Sequence, residues 1–258
     1  MAYQGFDLKG KSAVVIGGTS GIGHALTLGL AEAGADVVPT SRRSNLVEQT
    51  VDEVRTLGRR SVFCPSDVLD RASLNQVLAE TIEAFGKVDI LINCAGRTKR
   101  APTLDLAEED WHAILETNLT GALRASQVFG GHMLQRSYGR IVHIASIASF
   151  VALFEVAAYA ASKAAVASLT KSLAIEWGPR GVCVNAIAPG VFPTDLNRSL
   201  LEGTDRGREF LARIPMKRFG DVSELCGAAI FLSSDSASYV NGEVLVVDGG
   251  FLASGVNQ

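Results

Sequence analysis

The 258-residue chain has little cysteine: only Cys64, Cys94, Cys183 and Cys226. They lie far apart with no C-x-x-C spacing, which speaks against a zinc site or a disulfide framework and for reduced thiols. Long apolar runs are lacking as well. No stretch approaches the roughly 18 residues of a membrane span, and the most apolar region, 141–173, is broken by His143, Glu155, Lys163 and several serines. The N-terminus carries Asp7, Lys9 and Lys11 where a leader peptide would have an apolar core, so a soluble cytoplasmic protein is expected. No charge sign dominates: 24 basic residues face 27 acidic ones, for a net charge of −3. That balance, without a basic stripe, argues against a nucleic-acid partner. His24, His112, His132 and His143 show no metal-ligand spacing, and no G-x-S-x-G motif occurs. A metal centre and a hydrolase nucleophile elbow are therefore not expected.

What is present is apolar residues, at 47%, and glycine, at 26 residues. The apolar share suffices for a large core and excludes wholesale disorder. Short β-branched runs alternate with helical patterns along the whole chain. Strands are predicted at 13–16, 36–40, 62–64, 89–93, 140–145, 182–188 and 244–247. Helices are predicted at 22–33, 47–57, 74–85, 111–135, 157–177 and 221–232, the last opened by the capping pair Asp221 and Glu224. Repeated β-α units predict a doubly wound parallel sheet of the Rossmann type, about seven strands with helices on both faces. No linker, low-complexity tract or repeat interrupts it, so 1–258 reads as a single domain. The polar stretch 192–219 has the length and position of a substrate lid.

Several motifs carry chemistry. Gly17, Gly18, Gly21 and Gly23, with Thr19, Ser20 and Ile22 between them, join the first strand to the first helix. Glycines let backbone N–H groups approach a phosphate, and the helix N-terminus adds positive potential. The spacing G-x-x-x-G-x-G differs from the commoner G-x-G-x-x-G. At the end of the second strand an acid would bind the ribose 2′-hydroxyl of NAD. Here Ser41 stands in its place and Arg42 follows, which favours NADP. Tyr159 and Lys163 lie four apart, on one helical face. An ammonium beside a phenol favours the phenolate and makes Tyr159 a candidate general acid/base. Ser146, after the fifth predicted strand, is placed to hold a substrate oxygen, with Ser149 as its competitor. Asn118 sits mid-helix against its propensity.

Taken in order, these residues resemble the short-chain dehydrogenase/reductase family over nearly the whole chain. The family's T-G-x-x-x-G-x-G runs from Ile16, in place of Thr, to Gly23. Asp67-Val68 is similar to the pair whose Asp contacts adenine. Asn93-Cys94-Ala95-Gly96 resembles N-N-A-G, the frame shifted onto Ile92 for the first Asn. Pro189-Gly190 and Thr194 resemble P-G-x-x-x-T, which holds the nicotinamide end, and Val247-Asp248-Gly249-Gly250 resembles the C-terminal signature. Ser146 precedes Tyr159 by thirteen residues, the family's spacing, and so prevails over Ser149. The resemblance implies an NADP(H)-dependent oxidoreductase with the tetrad Asn118, Ser146, Tyr159 and Lys163. Ser146 would orient the oxygen and Tyr159 move the proton. Lys163 would lower the Tyr159 pKa and bind the ribose, and Asn118 would anchor a water leading to Lys163. It also implies a homotetramer with 111–135 and 157–177 at one interface.

The basic run Arg97 to Arg100 and the start of the lid resemble members acting on sugar acids, the gluconate-type dehydrogenases. Lys99 and Arg100 would pair a substrate carboxylate, with Glu155 and Phe192 also facing the substrate. Two alternatives stay open: a 3-oxoacyl thioester reductase, which shares nearly every motif, and a catalytically idle dinucleotide-binding module.

Overall fold

The computed structural model describes residues 5–195 and 197–255. Its framework is a six-stranded parallel sheet: β1 (Ser12–Ile16), β2 (Asp36–Thr40), β3 (Ile90–Asn93), β4 (Gly139–Ile144), β5 (Val182–Pro189) and β6 (Val244–Val247). The spatial order is β2-β1-β3-β4-β5-β6. Every neighbouring pair is parallel, with Ile16 opposite Thr40 on one side and Asn93 on the other.

The strands are apolar throughout because both faces are covered. Side chains alternate between two cores with the period of two that a strand imposes. From β1, Ala13 and Val15 join one core with Leu26, Leu30, Leu225, Ala229 and Leu232. Val14 and Ile16 join the other with Leu74, Val77, Phe129, Met133 and Leu173. The first face is covered by α1 (Gly21–Glu32) and α9 (Cys226–Ser233). The second is covered by α3 (Arg71–Phe85), α5 (Gly121–Gln135) and α6 (Ala157–Trp177). The helix α2 (Ser44–Thr56) follows β2, and α4 (Glu108–Leu115) precedes α5.

Among the described residues six strands form where about seven are predicted, and the predicted strand without a counterpart is 62–64. The reason lies in β2. Val37 donates its N–H to Arg60 O at 3.1 Å, so alternate β2 residues face segment 60–66. Two residues on, the same edge presents Pro39, which has no N–H to donate. Hydroxyls replace the ladder there: Ser61 Oγ donates to Val37 O and Thr40 Oγ1 to Cys64 O, both at 2.6 Å.

Two predicted helices are also reshaped. The span 111–135 is divided by a five-residue π turn, Glu116–Thr120, between α4 and α5. The helix predicted from 221 begins as a tight 3₁₀ turn, Val222–Leu225, closed by the Asp221–Glu224 capping box, and becomes α9 at Cys226. Between β5 and β6, the segment 192–219 carries α7 (Arg198–Leu201) and α8 (Asp205–Arg213), while residue 196 lies outside the described residues. The strand order reverses around β1 and β3, and the C-terminal ends of these strands open the crevice where such sheets bind ligands.

Candidate active site

The crevice floor is made of backbones in close contact. Gly17, at φ +76°, turns the chain out of β1. A Cβ there would lie 2.8 Å from Ala95 N, so only glycine lets the loops after β1 and β3 meet. A Cβ on Gly23 would lie 2.0 Å from Gly17 O, which keeps the first turn of α1 against the loop. Thr194 closes the rim, its Cγ2 3.2 Å from where a Gly21 Cβ would be. Gly190 sits against Asp248 and donates its N–H to Val247 O at 2.8 Å, fixing the turn after Pro189. Ile22 packs inward on the α1 face of the core.

This loop fits a pyrophosphate. The twelve-residue α1 directs its N-terminal N–H groups at the crevice, and its N-cap residue Ser20 makes no side-chain cap. The neighbouring hydroxyls are already aligned: Thr19 Oγ1 donates to Ser41 Oγ at 2.8 Å. Arg43 Nη2 donates to Ser20 Oγ at 2.8 Å, whereas Arg42 is exposed. Arg43 follows Arg42 in the sequence, and packing brings it back to the glycine loop. Asp67 accepts from Leu69 N at 3.0 Å, and Val68 is buried against Gly121. No acidic side chain occupies the Ser41 position, so a 2′-phosphate meets hydroxyls and guanidinium groups there.

In the N-C-A-G segment the frame is corrected: Asn93 holds the first Asn position, and Cys94 replaces the second. Ile92 is an inward residue of β3. Asn93 Nδ2 lies 3.3 Å from Ser126 Oγ, and its buried Oδ1 has no partner among the described residues. Burial pushes the Cys94 thiol up to about 11, against the pull of the nearby Lys163 charge, so it stays protonated at neutral pH.

The four tetrad residues come from three segments: the π turn, the turn after β4, and α6, which carries both Tyr159 and Lys163. Asn118 sits on the π turn, a distortion that re-aims a helical side chain. Its Oδ1 accepts from Arg97 N at 2.8 Å, and its Nδ2 donates to Arg97 O and to Ser162 Oγ, both at 2.9 Å. The loop after β3 is thereby clamped to α6. Gly96 lies between Asn118 and Lys163: its Cβ position would be 3.5 Å from Asn118 Oδ1 and 3.7 Å from Lys163 Nζ. Ser146 caps a 3₁₀ turn after β4, accepting from Ala148 N at 3.1 Å, and its hydroxyl favours the ionised form of the neighbouring Tyr159 phenol. The competitor Ser149 is committed elsewhere, donating to Lys163 O at 2.8 Å.

Lys163 is buried and donates from Nζ to Ile144 O at 2.6 Å. Burial pulls its pKa down to about 8, and its Nζ stands 5.7 Å from the Tyr159 ring centroid. The phenol differs from expectation. Burial raises it above 10, opposed by the Ser146 hydrogen bond, so desolvation outweighs any help from Lys163 in this geometry. A hydroxyl pair beside an ammonium can nonetheless exchange one proton with a substrate oxygen.

The residues expected to face substrate are not all free to do so. Lys99 is paired with Asp110, and Arg100 Nε donates to Glu155 at 2.6 Å. Phe192 is 5% exposed and packs in the core with its ring against Gly220, since an aromatic ring is more stable there than at a wet cleft.

A glycine-rich strand-to-helix turn, a 2′-phosphate corner and a Ser-Tyr-Lys group on one crevice define a dinucleotide-dependent oxidoreductase acting on CH–OH groups. A family model of short-chain dehydrogenases, described as enoyl-(acyl carrier protein) reductase, matches residues 17–252. The chain belongs to the short-chain dehydrogenase/reductase family. It is 42% identical to a 2-dehydro-3-deoxy-D-gluconate 5-dehydrogenase from Pseudoalteromonas atlantica, over 96% of this chain and 98% of that protein. It is 38% identical to a gluconate 5-dehydrogenase from Gluconobacter oxydans, over 96% and 97%. The crystal structure of a gluconate 5-dehydrogenase from Burkholderia cenocepacia in complex with NADP and tartrate superimposes with a TM-score of 0.94 at 38% identity, covering 98% and 99% of the two chains.

Proposed function

We propose that this protein is an NADP(H)-dependent oxidoreductase of sugar acids, interconverting a secondary alcohol and a ketone on a gluconate-type substrate. The observation that carries the reading is the grouping of Ser146 and buried Lys163 about the Tyr159 phenol, with Lys163 Nζ 5.7 Å from the Tyr159 ring centroid beside the loop after β3. The similarity to gluconate-type enzymes, one solved with NADP, supports substrate class and cofactor. When bound, the nicotinamide supplies or accepts the hydride. Ser146 orients the substrate oxygen, and Tyr159 gives or takes the proton at that oxygen. Lys163 provides positive charge beside the phenol and a donor for the ribose. Asn118 keeps the loop after β3 and the solvent route to Lys163 in place.

Segment 192–219 would be the substrate lid of a single-domain chain, and Arg100 the residue that meets an anionic substrate. A homotetramer joined through α5 and α6, in the cytoplasm, is part of the same proposal. Among the described residues no helix is long and apolar enough to cross a membrane.

The test is an initial-rate panel of gluconate-type sugar acids, 3-oxoacyl thioesters and aromatic ketones, each with both cofactors. Sugar acids with NADP(H) should give the highest kcat/KM; a higher value for acyl thioesters refutes the substrate class. Tyr159→Phe should lower kcat by about 10²–10⁴-fold while NADPH binding persists. Near-normal turnover would remove Tyr159 from the chemistry.

A further inference from the structure

Three segments converge at the outer rim of the crevice. Arg100 follows β3, Glu155 lies in the loop between Ser146 and Tyr159, and Arg206 sits in the first turns of α8. Arg100 Nε donates to Glu155 at 2.6 Å, and Ala101 N donates to Glu155 O at 3.0 Å. Glu155 holds this place at φ +61°, a conformation that L residues avoid and that persists only when surroundings impose it. Arg206 reaches from α8 to the same loop, donating from Nη1 to Phe154 O at 3.2 Å. Its guanidinium also lies 5.5 Å from the Phe210 ring centroid.

The charges at this rim are unevenly paired. Glu155 is engaged by Arg100, and Arg206 has no carboxylate within ion-pair distance among the described residues. A guanidinium has five N–H donors, and Arg206 places one on Phe154 O. Burial and then the like charge of Arg100 hold the Arg206 pKa below its usual value, while Glu155 and Glu209 act the other way. Such a group gains from an anion presented at the crevice, because a forked guanidinium matches a carboxylate's two oxygens. Lys99 is bound to Asp110 as Arg100 is to Glu155, which leaves Arg206 as the cation at this rim without a carboxylate partner among the described residues.

We propose that Arg206 is a specificity-determining residue, which together with Arg100 receives the carboxylate of the substrate at the rim of the crevice. The inference rests on the sugar-acid reading above and adds a residue from α8 to it. A bare tether of α8 to the Phe154 loop is the competing explanation, and it makes a different prediction. Loss of a tether would affect charged and uncharged substrates alike. Loss of a carboxylate ligand would affect only the charged one.

The experiment compares kcat and KM of wild type, Arg206→Ala and Arg206→Lys in NADP⁺-dependent oxidation of gluconate and of an uncharged polyol of the same chain length. The wild type should prefer gluconate. Arg206→Ala should raise the gluconate KM by about tenfold to a hundredfold, the usual effect of deleting one charged hydrogen-bond partner. The KM values for the polyol and for NADP⁺ should stay within about twofold. Arg206→Lys should recover part of the gluconate KM, since charge returns without the fork. A preference for gluconate that survives intact in Arg206→Ala, or an equal loss on both substrates, overturns the role of Arg206 and leaves the sugar-acid reading standing. A wild-type enzyme that turns over the polyol as well as gluconate overturns the sugar-acid reading and this inference with it.

Discussion

Acid should unfold this protein earlier than its surface charges would suggest, because of His143. The residue is fully buried in β4. Its Nδ1 lies 2.9 Å from Thr170 Oγ1 on α6 and its Nε2 2.9 Å from Ser126 Oγ on α5. Ser126 Oγ is met in turn by Asn93 Nδ2. Burial pulls the His143 pKa from 6.5 to about 4, with the Lys163 charge acting the same way. The unfolded chain therefore binds this proton below about pH 6.5 and the folded chain does not. Stability is full above that pH and is lost as pH falls toward about 4. The shift corresponds to about 3 kcal/mol at the acid end, since one pKa unit is about 1.4 kcal/mol. Urea unfolding at pH 7.5 and pH 4.5 should show it, with His143→Gln as the reference. Glutamine cannot titrate, so the variant should lose about 2–3 kcal/mol less than wild type between the two pH values. Parallel losses in wild type and variant would refute the assignment of acid sensitivity to this group.

Other expectations follow from the same geometry. Gly23→Ala should weaken NADPH binding at least tenfold in a fluorescence titration, because its Cβ would overlap Gly17 O; an unchanged Kd would show that the loop relaxes freely. Ser41→Asp should shift cofactor preference toward NAD by placing a carboxylate where the 2′-phosphate goes, read from kcat/KM with both cofactors; a retained NADP preference would move that subsite elsewhere. Ser146→Ala should lower kcat sharply and Ser149→Ala should not, because Ser146 acts on the Tyr159 phenol while Ser149 is committed to Lys163 O; equal losses would overturn the choice between them. Asp89→Ala should cost about 1–3 kcal/mol in urea unfolding, because the buried Ser12 N–H loses its side-chain acceptor while the partly exposed cations can hydrate. Asp89 is 1% exposed, bonds Ser12 N, and is paired with Lys87 at 2.8 Å and Arg136 at 3.0 Å; a loss below about 1 kcal/mol would mean that water replaces it.

The strands were legible where burial on both faces writes them as apolar runs, as in 13–16 and 182–188, now within β1 and β5. Segment 62–64 carries the same kind of run and forms no ladder. The deciding residue is Pro39, on a different strand, and its effect depends on which edge of β2 it faces. The π turn at Glu116–Thr120 was hidden for a related reason. One extra residue in a helical turn leaves the apolar period nearly unchanged, and the only trace in the sequence is a polar Asn118 where helix propensity disfavours it.

The candidate site divides along the same line. Tyr159 and Lys163 share one helix, and Gly17 to Gly23 one turn, so spacing alone relates them. Arg43, Arg100, Glu155 and Arg206 acquire their partners only when the loops after β2, β3 and β4 and the α8 segment are brought to one end of the sheet. The same distinction explains why the Tyr159 phenol is raised although spacing alone suggests that Lys163 lowers it. Spacing shows that a lysine is near; only packing shows that desolvation acts on both groups and pushes each toward its neutral form, the phenol above 10 and the ammonium to about 8. With a pKa of about 8 Lys163 keeps its ammonium at neutral pH, and an anion entering beside it would raise that pKa and hold the positive charge next to the phenol.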